Sequence, residues 1–357
     1  MTLLDKTIKR IVPQDRSFRE KSKERLDQLT MPFWALGRLM DLSMDLAGIT
    51  RSLRPTVDRR VVVVMAGDHG VVSEGVTLYP QEVTRQMVLN FLNGGAGINA
   101  IARVSGAQVR VVNMGIMSDL TELSEAVNSG SLISRPIRPC TDNIAAGPAM
   151  SRDEAVKSLE TGIDIAMQMD SSFDLFATGD MGIGNTTPSS SIVAAFTGAN
   201  PADVTGHGTG IDKQTFSHKI SVVEKILATN NPDISDGIDV LSKIGGFEIG
   251  GLAGLILGVA AMQKPVLIDG FISTAAALVA HSIAPDCADY MVASHRSVEQ
   301  GHRVALDHLG KRPLLDLDLR LGEGTGAALG ISLTEASLKI LDEMATFAEA
   351  GVSGQTG

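Results

Sequence analysis

Cysteine is nearly absent: Cys140 and Cys287 are the two among 357 residues. Neither a disulfide framework nor a thiolate metal site with paired spacing can be read from them, so the expectation is two buried or free thiols in a reducing compartment. Aromatic residues make up only 4%, which argues against a stacking platform for single-stranded nucleic acid. Basic charge is also short. Lys and Arg number 31 against 41 Asp and Glu, a formal net charge of −10. Such a chain repels a polyanion, leaving room for a local pocket that holds one phosphate. Long apolar runs are missing too. The most apolar, Gly250 to Met262, stops at Gln263, Lys264 and Pro265. That is short of the ~20 residues of a membrane span, and the run reads as a Gly-rich buried helix packed closely on a sheet. The first residues, MTLLDKTIKRIVPQDRSFREK, are charged and carry no apolar signal core. A cytoplasmic protein without a membrane span is expected.

What the chain has in quantity is glycine, 37 residues, within a composition that is 44% hydrophobic. That suits an α/β enzyme with many tight strand-to-loop turns. Short β-branched runs recur: VVVVM (61–65), VRVVNMGI (109–116), DLFAT (174–178), PVLID (265–269), YMVAS (290–294) and LLDLDL (314–319). Helical patterns lie between them. Residues 17–50 read as helical. Pro80 opens a helix over 81–93 that Gly94 and Gly95 stop, and Ser151 with Glu154 forms a capping box before a helix reaching about Met169. Ser332 and Glu335 form a second such box ahead of a C-terminal helix. Strands alternating with helices predict a parallel sheet with helices on both faces, a Rossmann-like three-layer fold. Ligands then sit at the carboxyl ends of the strands.

Two glycine-rich turns carry the candidate chemistry. TGDMGIGNTT (178–187) leaves a strand and enters a helix. Its glycines allow close backbone approach, and the amides at the helix start can hold an anion. It is not a P-loop, since no Gly-Lys-Ser/Thr follows, and Thr187 stands where a dinucleotide fingerprint needs its third Gly. The alternative is an ordinary tight turn. RLGEGTGAALG (320–330) places Glu323 between Gly322 and Gly324, after the 314–319 run. A carboxylate there is well placed as a general base, or is a solvated turn residue. Arg320 either neutralises a phosphate or makes a surface ion pair. AGDHG (66–70) offers Asp68 and His69 as a metal or acid–base pair, or a structural turn in which Asp68 bonds backbone amides; none of the seven His residues forms H-x-H or H-E-x-x-H, which favours the turn. In SHRSVEQGH (294–302), Ser294, His295, Ser297 and Glu299 can line the same rim, or Ser294 or Ser297 caps a helix. In GTGIDKQTFSHK (208–219), Lys213 and Lys219 are candidate phosphate partners or solvated charges.

Taken together these strings resemble a known family. GDHGV, GVTLYPQEVTRQMV, GGAGINAIAR, GDMGIGNTT, GTGIDK, GGFEIGGLAG, PVLIDGFI, SHRSVEQGH and LDLRLGEGTGAALG occur in the order found in the nicotinate-nucleotide:dimethylbenzimidazole phosphoribosyltransferase family, from about Thr30 to Val352. The resemblance implies transfer of phosphoribose from nicotinate mononucleotide to 5,6-dimethylbenzimidazole, giving nicotinate and α-ribazole 5′-phosphate with inversion at ribose C1. This is the step that makes the lower ligand of cobalamin. It implies no cofactor or metal, and a homodimer. It also implies a large α/β domain (51–330) and a small helical domain built from both chain ends (1–50 and 331–357). Glu323 is similar to the family's catalytic base, and Gly182, Ile183, Gly184, Asn185 and Thr186 to its nucleotide loop. Lys219, Asp269, Gly270, Ser297 and Arg320 resemble further phosphate and ribose contacts, with Gln86 and Tyr79 beside the base. Asp180 stands where many members carry Glu, and TMPFWALGRL lacks the Pro-Gly-Ser turn often seen before Leu-Gly-Arg.

Two other readings stay open on the residues alone. A Rossmann-type oxidoreductase would bind a dinucleotide at 178–187, although no acidic residue ends a following strand about 20 residues on. A non-catalytic nucleotide-binding protein would keep the cradle and leave Glu323 idle.

Overall fold

The valine run at 61–64 is buried on both sides. Val61, Val63 and Met65 point into one apolar core, and Val62, Val64 and Ala66 into another, as the two-residue period of a central strand requires. This strand, β1 (Arg60–Gly67), organises the computed structural model, which describes residues 1–206, 208 and 212–353. Beside it lie β2 (Gln108–Gly115), β3 (Leu132–Ser134), β4 (Leu175–Met181), β5 (Val266–Ile268) and β6 (Met291–Ala293). The order is β3-β2-β1-β4-β5-β6, with every pairing parallel. The order reverses between β1 and β4, which leaves a crevice at their carboxyl ends.

Helices Arg152–Gln168, Phe247–Ala261 and Phe271–Ile283 cover one face, and Glu82–Leu92, Gly97–Ser105 and Thr325–Glu343 the other. The three-layer expectation holds. The 247–261 helix is buried at every residue, and its glycines explain how. A Cβ on Gly254 would lie 1.9 Å from the Leu159 carbonyl oxygen, and one on Gly251 2.5 Å from Met65 Sδ. The helix therefore packs backbone to backbone on its helical neighbour as well as on the sheet. A separate small cluster of Leu26, Leu29, Met40 and Leu341 joins the two chain ends.

Several local expectations need correction. Residues 17–50 hold two helices, Arg16–Leu26 and Arg38–Thr50. Pro32 lies between them, and Trp34 and Gly37 take left-handed backbone, which breaks the helical path. The 314–319 run pairs only at Leu315–Asp316 (β8), with His295–Arg296 (β7), outside the main sheet. Asp318 is left-handed at φ 54° and ends the extended stretch. Ser332 and Glu335 do not cap a helix, because both lie inside Thr325–Glu343. β3 went unread in sequence because its three residues carry no periodic signal.

Candidate active site

The floor of the crevice is built by the ends of β1 and β4. After β1, Asp68 Oδ2 accepts from the Met117 amide at 2.9 Å, so this turn is structural, as read. After β4 the chain passes directly over β1. A Cβ on Gly182 would stand 2.3 Å from the Gly67 carbonyl oxygen, and Gly184 has φ +90°, so a side chain at either position would displace the loop. The loop then enters helix Thr186–Thr197; the Thr187 amide donates to the Gly184 carbonyl at 3.0 Å and Pro188 has no N–H, so few amides of this helix start are left for an anion.

Over these strand ends opens a cavity of about 640 Å³. Asp180, Gly182, Ile183, Gly184, Asn185, Thr186, Lys219, Gly270, Ser297, Arg320, Glu323 and Tyr79 all line it. Two expected residues do not. Gln86 is exposed on its helix, and its neighbours Val83 and Met87 face the cavity instead. Asp269 is buried behind the wall, where its carboxylate accepts from the Gly324 amide at 3.1 Å and the Ala327 amide at 2.9 Å. It therefore holds the start of the 325–343 helix from behind the cavity wall. Of the rim candidates, His295 and Glu299 line the cavity, while Ser294 donates inward to the Ile268 carbonyl at 2.7 Å. Lys213 is exposed and lies off the lining. Of the GTGIDK string, residues 209–211 lie outside the described residues.

Glu323 sits in an unusual bend. Gly322, Glu323 and Gly324 have φ of 80°, 62° and 89°, three left-handed residues in a row. A non-glycine residue there carries strain of about 1–3 kcal/mol, which persists only when its surroundings fix it. The Glu323 amide donates to the Asp180 carbonyl at 3.3 Å, and its Oε2 accepts from the Ile98 amide at 3.0 Å. That amide belongs to the first turn of helix Gly97–Ser105, a favourable place for a carboxylate. Burial raises the Glu323 pKa above its ordinary value; the Ile98 amide opposes the rise and the Asp269 charge adds to it.

Asp180 bridges the two turns. Its Oδ2 accepts from Asn185 Nδ2 at 3.0 Å, and a Cβ on Gly322 would lie 3.3 Å from that oxygen. Its Oδ1 is buried without a partner. Burial, followed by the charges of Asp269 and Glu248, pushes its pKa well up. Across the cavity, Lys219 Nζ donates to Thr186 Oγ1 at 2.7 Å. Burial brings this ammonium down to about 8, against the pull of Glu299. His302, buried and near His295, is pushed down to about 3, so it is neutral and accepts from the Ser297 amide at Nδ1, 2.9 Å away. The cavity thus offers the Thr186 and Ser297 hydroxyls and the Lys219 cation to an anion. Its lining also holds the buried Glu323 carboxylate and, in Val76, Val83 and Met87, an apolar wall suited to a flat heterocycle. The wall was missed in sequence because Val83 and Met87 read as core positions of an amphipathic helix. Among the described residues, no cluster of His, Cys, Asp and Glu is arranged to hold a metal ion.

Comparison with known proteins adds to this geometry. A family model described as phosphoribosyltransferase matches residues 11–352. A nicotinate-nucleotide–dimethylbenzimidazole phosphoribosyltransferase of Syntrophotalea carbinolica is 61% identical over 353 residues, covering 99% of each chain. The protein of that name from Desulforamulus reducens is 54% identical over 355 residues, again with 99% of each chain covered. A crystal structure of a protein so named from Thermus thermophilus superimposes with a TM-score of 0.89 at 43% identity, covering 96% of this chain and all of that one.

Proposed function

We infer the reaction from one premise: this chain belongs to the nicotinate-nucleotide–dimethylbenzimidazole phosphoribosyltransferase family. It is a phosphoribosyltransferase that moves phosphoribose from nicotinate mononucleotide to dimethylbenzimidazole, activating the lower ligand of cobalamin. The observation that carries the residue roles is the meeting of two turns. Glu323 and the 182–186 loop line one cavity, joined through Asp180.

In the proposed mechanism the nucleotide phosphate and ribose lie against Gly182 to Thr186, Lys219, Gly270, Ser297 and Arg320. Nicotinate in the donor is a pyridinium, so its bond to C1 breaks as the ring regains its electron pair and C1 takes on oxocarbenium character. The lone-pair nitrogen of the benzimidazole attacks C1 from the opposite face, converting a β linkage to an α linkage. Glu323 takes the proton from the other ring nitrogen. A positioned base contributes about 10²–10⁴ in rate, roughly 3–5 kcal/mol, and fixing the two reactants together contributes further. Tyr79, exposed and on the same cavity lining as Val83 and Met87, borders the incoming base.

The test is incubation with nicotinate mononucleotide and dimethylbenzimidazole, with product separation and NMR assignment of the anomer. Nicotinate and an α-linked ribazole phosphate are expected in equal amounts; a β-linked product or none overturns the mechanism.

The proposal extends to organisation. Residues 51–330 form the catalytic domain, and 1–50 with 331–357 a small helical one. This is supported by the cluster that joins both chain ends, while the 325–343 helix ties the domains together. The protein acts as a homodimer in the cytoplasm. Leu78, Tyr79, Leu317 and Leu321 are exposed, Tyr79 and Leu321 of them on the cavity lining, and no described helix is long and apolar enough to cross a membrane. Light scattering that returns a monomer mass of 37.6 kDa would overturn the dimer.

A further inference from the structure

Beneath the nucleotide loop lies a buried His–Glu pair that the transfer does not use. His69, in the turn after β1, meets Glu248, near the start of the 247–261 helix, with Nε2 and Oε1 2.7 Å apart. Their side chains are 2% and 0% exposed. The other oxygen of Glu248, Oε2, is buried without a partner. Burial lowers the His69 pKa, but the charge and hydrogen bond of Glu248, with the charge of Asp68, outweigh it and leave the pKa raised.

A pair buried this deeply adds little to stability over apolar side chains of the same volume. Its surroundings point to another role. A Cβ on Gly182 would lie 3.3 Å from His69 Nε2, and one on Gly184 3.8 Å from His69 Cβ. From the other side, a Cβ on Gly246 would lie 2.5 Å from His69 Cε1, and one on Gly67 3.0 Å from Glu248 Oε2. Glycines of three segments close on the pair: the end of β1, the loop after β4 and the start of the 247–261 helix. The loop rests on the imidazole ring, and the hydrogen bond to Glu248 sets where that ring stands. Thr84 helps from the side, its Oγ1 accepting from the Ile183 amide at 3.1 Å. Neither His69 nor Glu248 lines the cavity, so both act through the loop.

We propose that the His69–Glu248 pair is a positioning device that fixes Gly182 to Gly184 at the height at which they hold the phosphoribose. This rests on the transferase reading above. The test measures nicotinate mononucleotide affinity by calorimetry, alongside KM for each substrate and kcat, in His69→Gln, Glu248→Gln and the paired variant. Each single change should weaken nucleotide binding, and raise its KM, by about tenfold or more, with kcat within about threefold and the KM for dimethylbenzimidazole unchanged. The paired variant, which restores a neutral hydrogen bond, should return to within about threefold of the parent. Nucleotide affinity within twofold of the parent in both folded single variants would overturn the proposal. So would equal losses in both KM values and kcat that follow thermal stability and do not recover in the paired variant. If a single variant does not fold, the paired variant decides: a stable protein that binds the nucleotide tenfold less tightly contradicts the proposal. A parent protein that binds the nucleotide yet releases no nicotinate defeats the transferase reading, while the affinity comparison still judges the pair.

Discussion

Two glycine-rich turns line one cavity, and they are built on different plans. The 182–186 loop follows a plan its own sequence spells out: a strand ends, glycines let the chain cross β1, and a helix begins, with Thr84 and His69 supporting the loop from other segments. The 322–324 bend is held from afar. Asp269 caps its helix from 55 positions upstream, the Ile98 amide holds the Glu323 carboxylate from 225 positions upstream, and the Asp180 carbonyl receives its amide. The binding turn therefore has an ordinary strand–glycine–helix path that its supports adjust. The turn at Glu323 has a strained geometry that only the assembled fold maintains, as the proposed proton acceptor requires.

This contrast can be broken at several points. The largest effect belongs to Glu323→Gln, which keeps the shape and removes the base. Steady-state nicotinate release should fall by at least about 10², and normal turnover would end the assignment. Asp269→Ala comes next. Two helix-start amides lose a charged acceptor, so urea unfolding should show a loss of about 2 kcal/mol. Turnover should drop about tenfold or more, with nucleotide affinity within threefold. A weakened nucleotide affinity with unchanged turnover would place Asp269 on the ligand after all.

On the other turn, Lys219→Met should raise the nucleotide KM about tenfold and affect turnover less. Since burial brings the Lys219 pKa down to about 8, the cation is present below that pH and lost as pH rises through it. Nucleotide affinity of the parent protein should decline above about pH 8, and the decline should be missing in the variant. Gly184→Ala is the mildest change. Its φ of +90° and the nearness of Val72 should reduce stability by about 1 kcal/mol and weaken nucleotide binding a few-fold, without touching kcat.

The same contrast explains how much was legible in the sequence. The parallel sheet was readable because Val61 to Val64 report burial on both faces, and the 178–187 loop because strand, glycines and helix follow one another. Glu323 stood out between two glycines. Its supports did not, since nothing near Asp269 announces a cap for a helix beginning at Thr325. The Ser332–Glu335 spacing misled for the same reason: the helix had already started under a remote carboxylate. LLDLDL alternates as a strand does, yet finds a partner for two residues only. His69 and Glu248, 179 positions apart, show no pattern before folding brings them together. Gln86 was placed beside the base by resemblance, and one step along the helix turned it outward in favour of Val83 and Met87.

The most direct measurement is the pH dependence of single-turnover nicotinate release in the parent and in Glu323→Gln. Burial raises the Glu323 pKa above its ordinary 4.5, so the proton-accepting form is lost as pH falls through that elevated value. The parent rate should show an acid limb above the ordinary glutamate range, and the slow residual rate of the variant should be flat there. An acid limb that persists unchanged in the variant would show that some other group takes the proton.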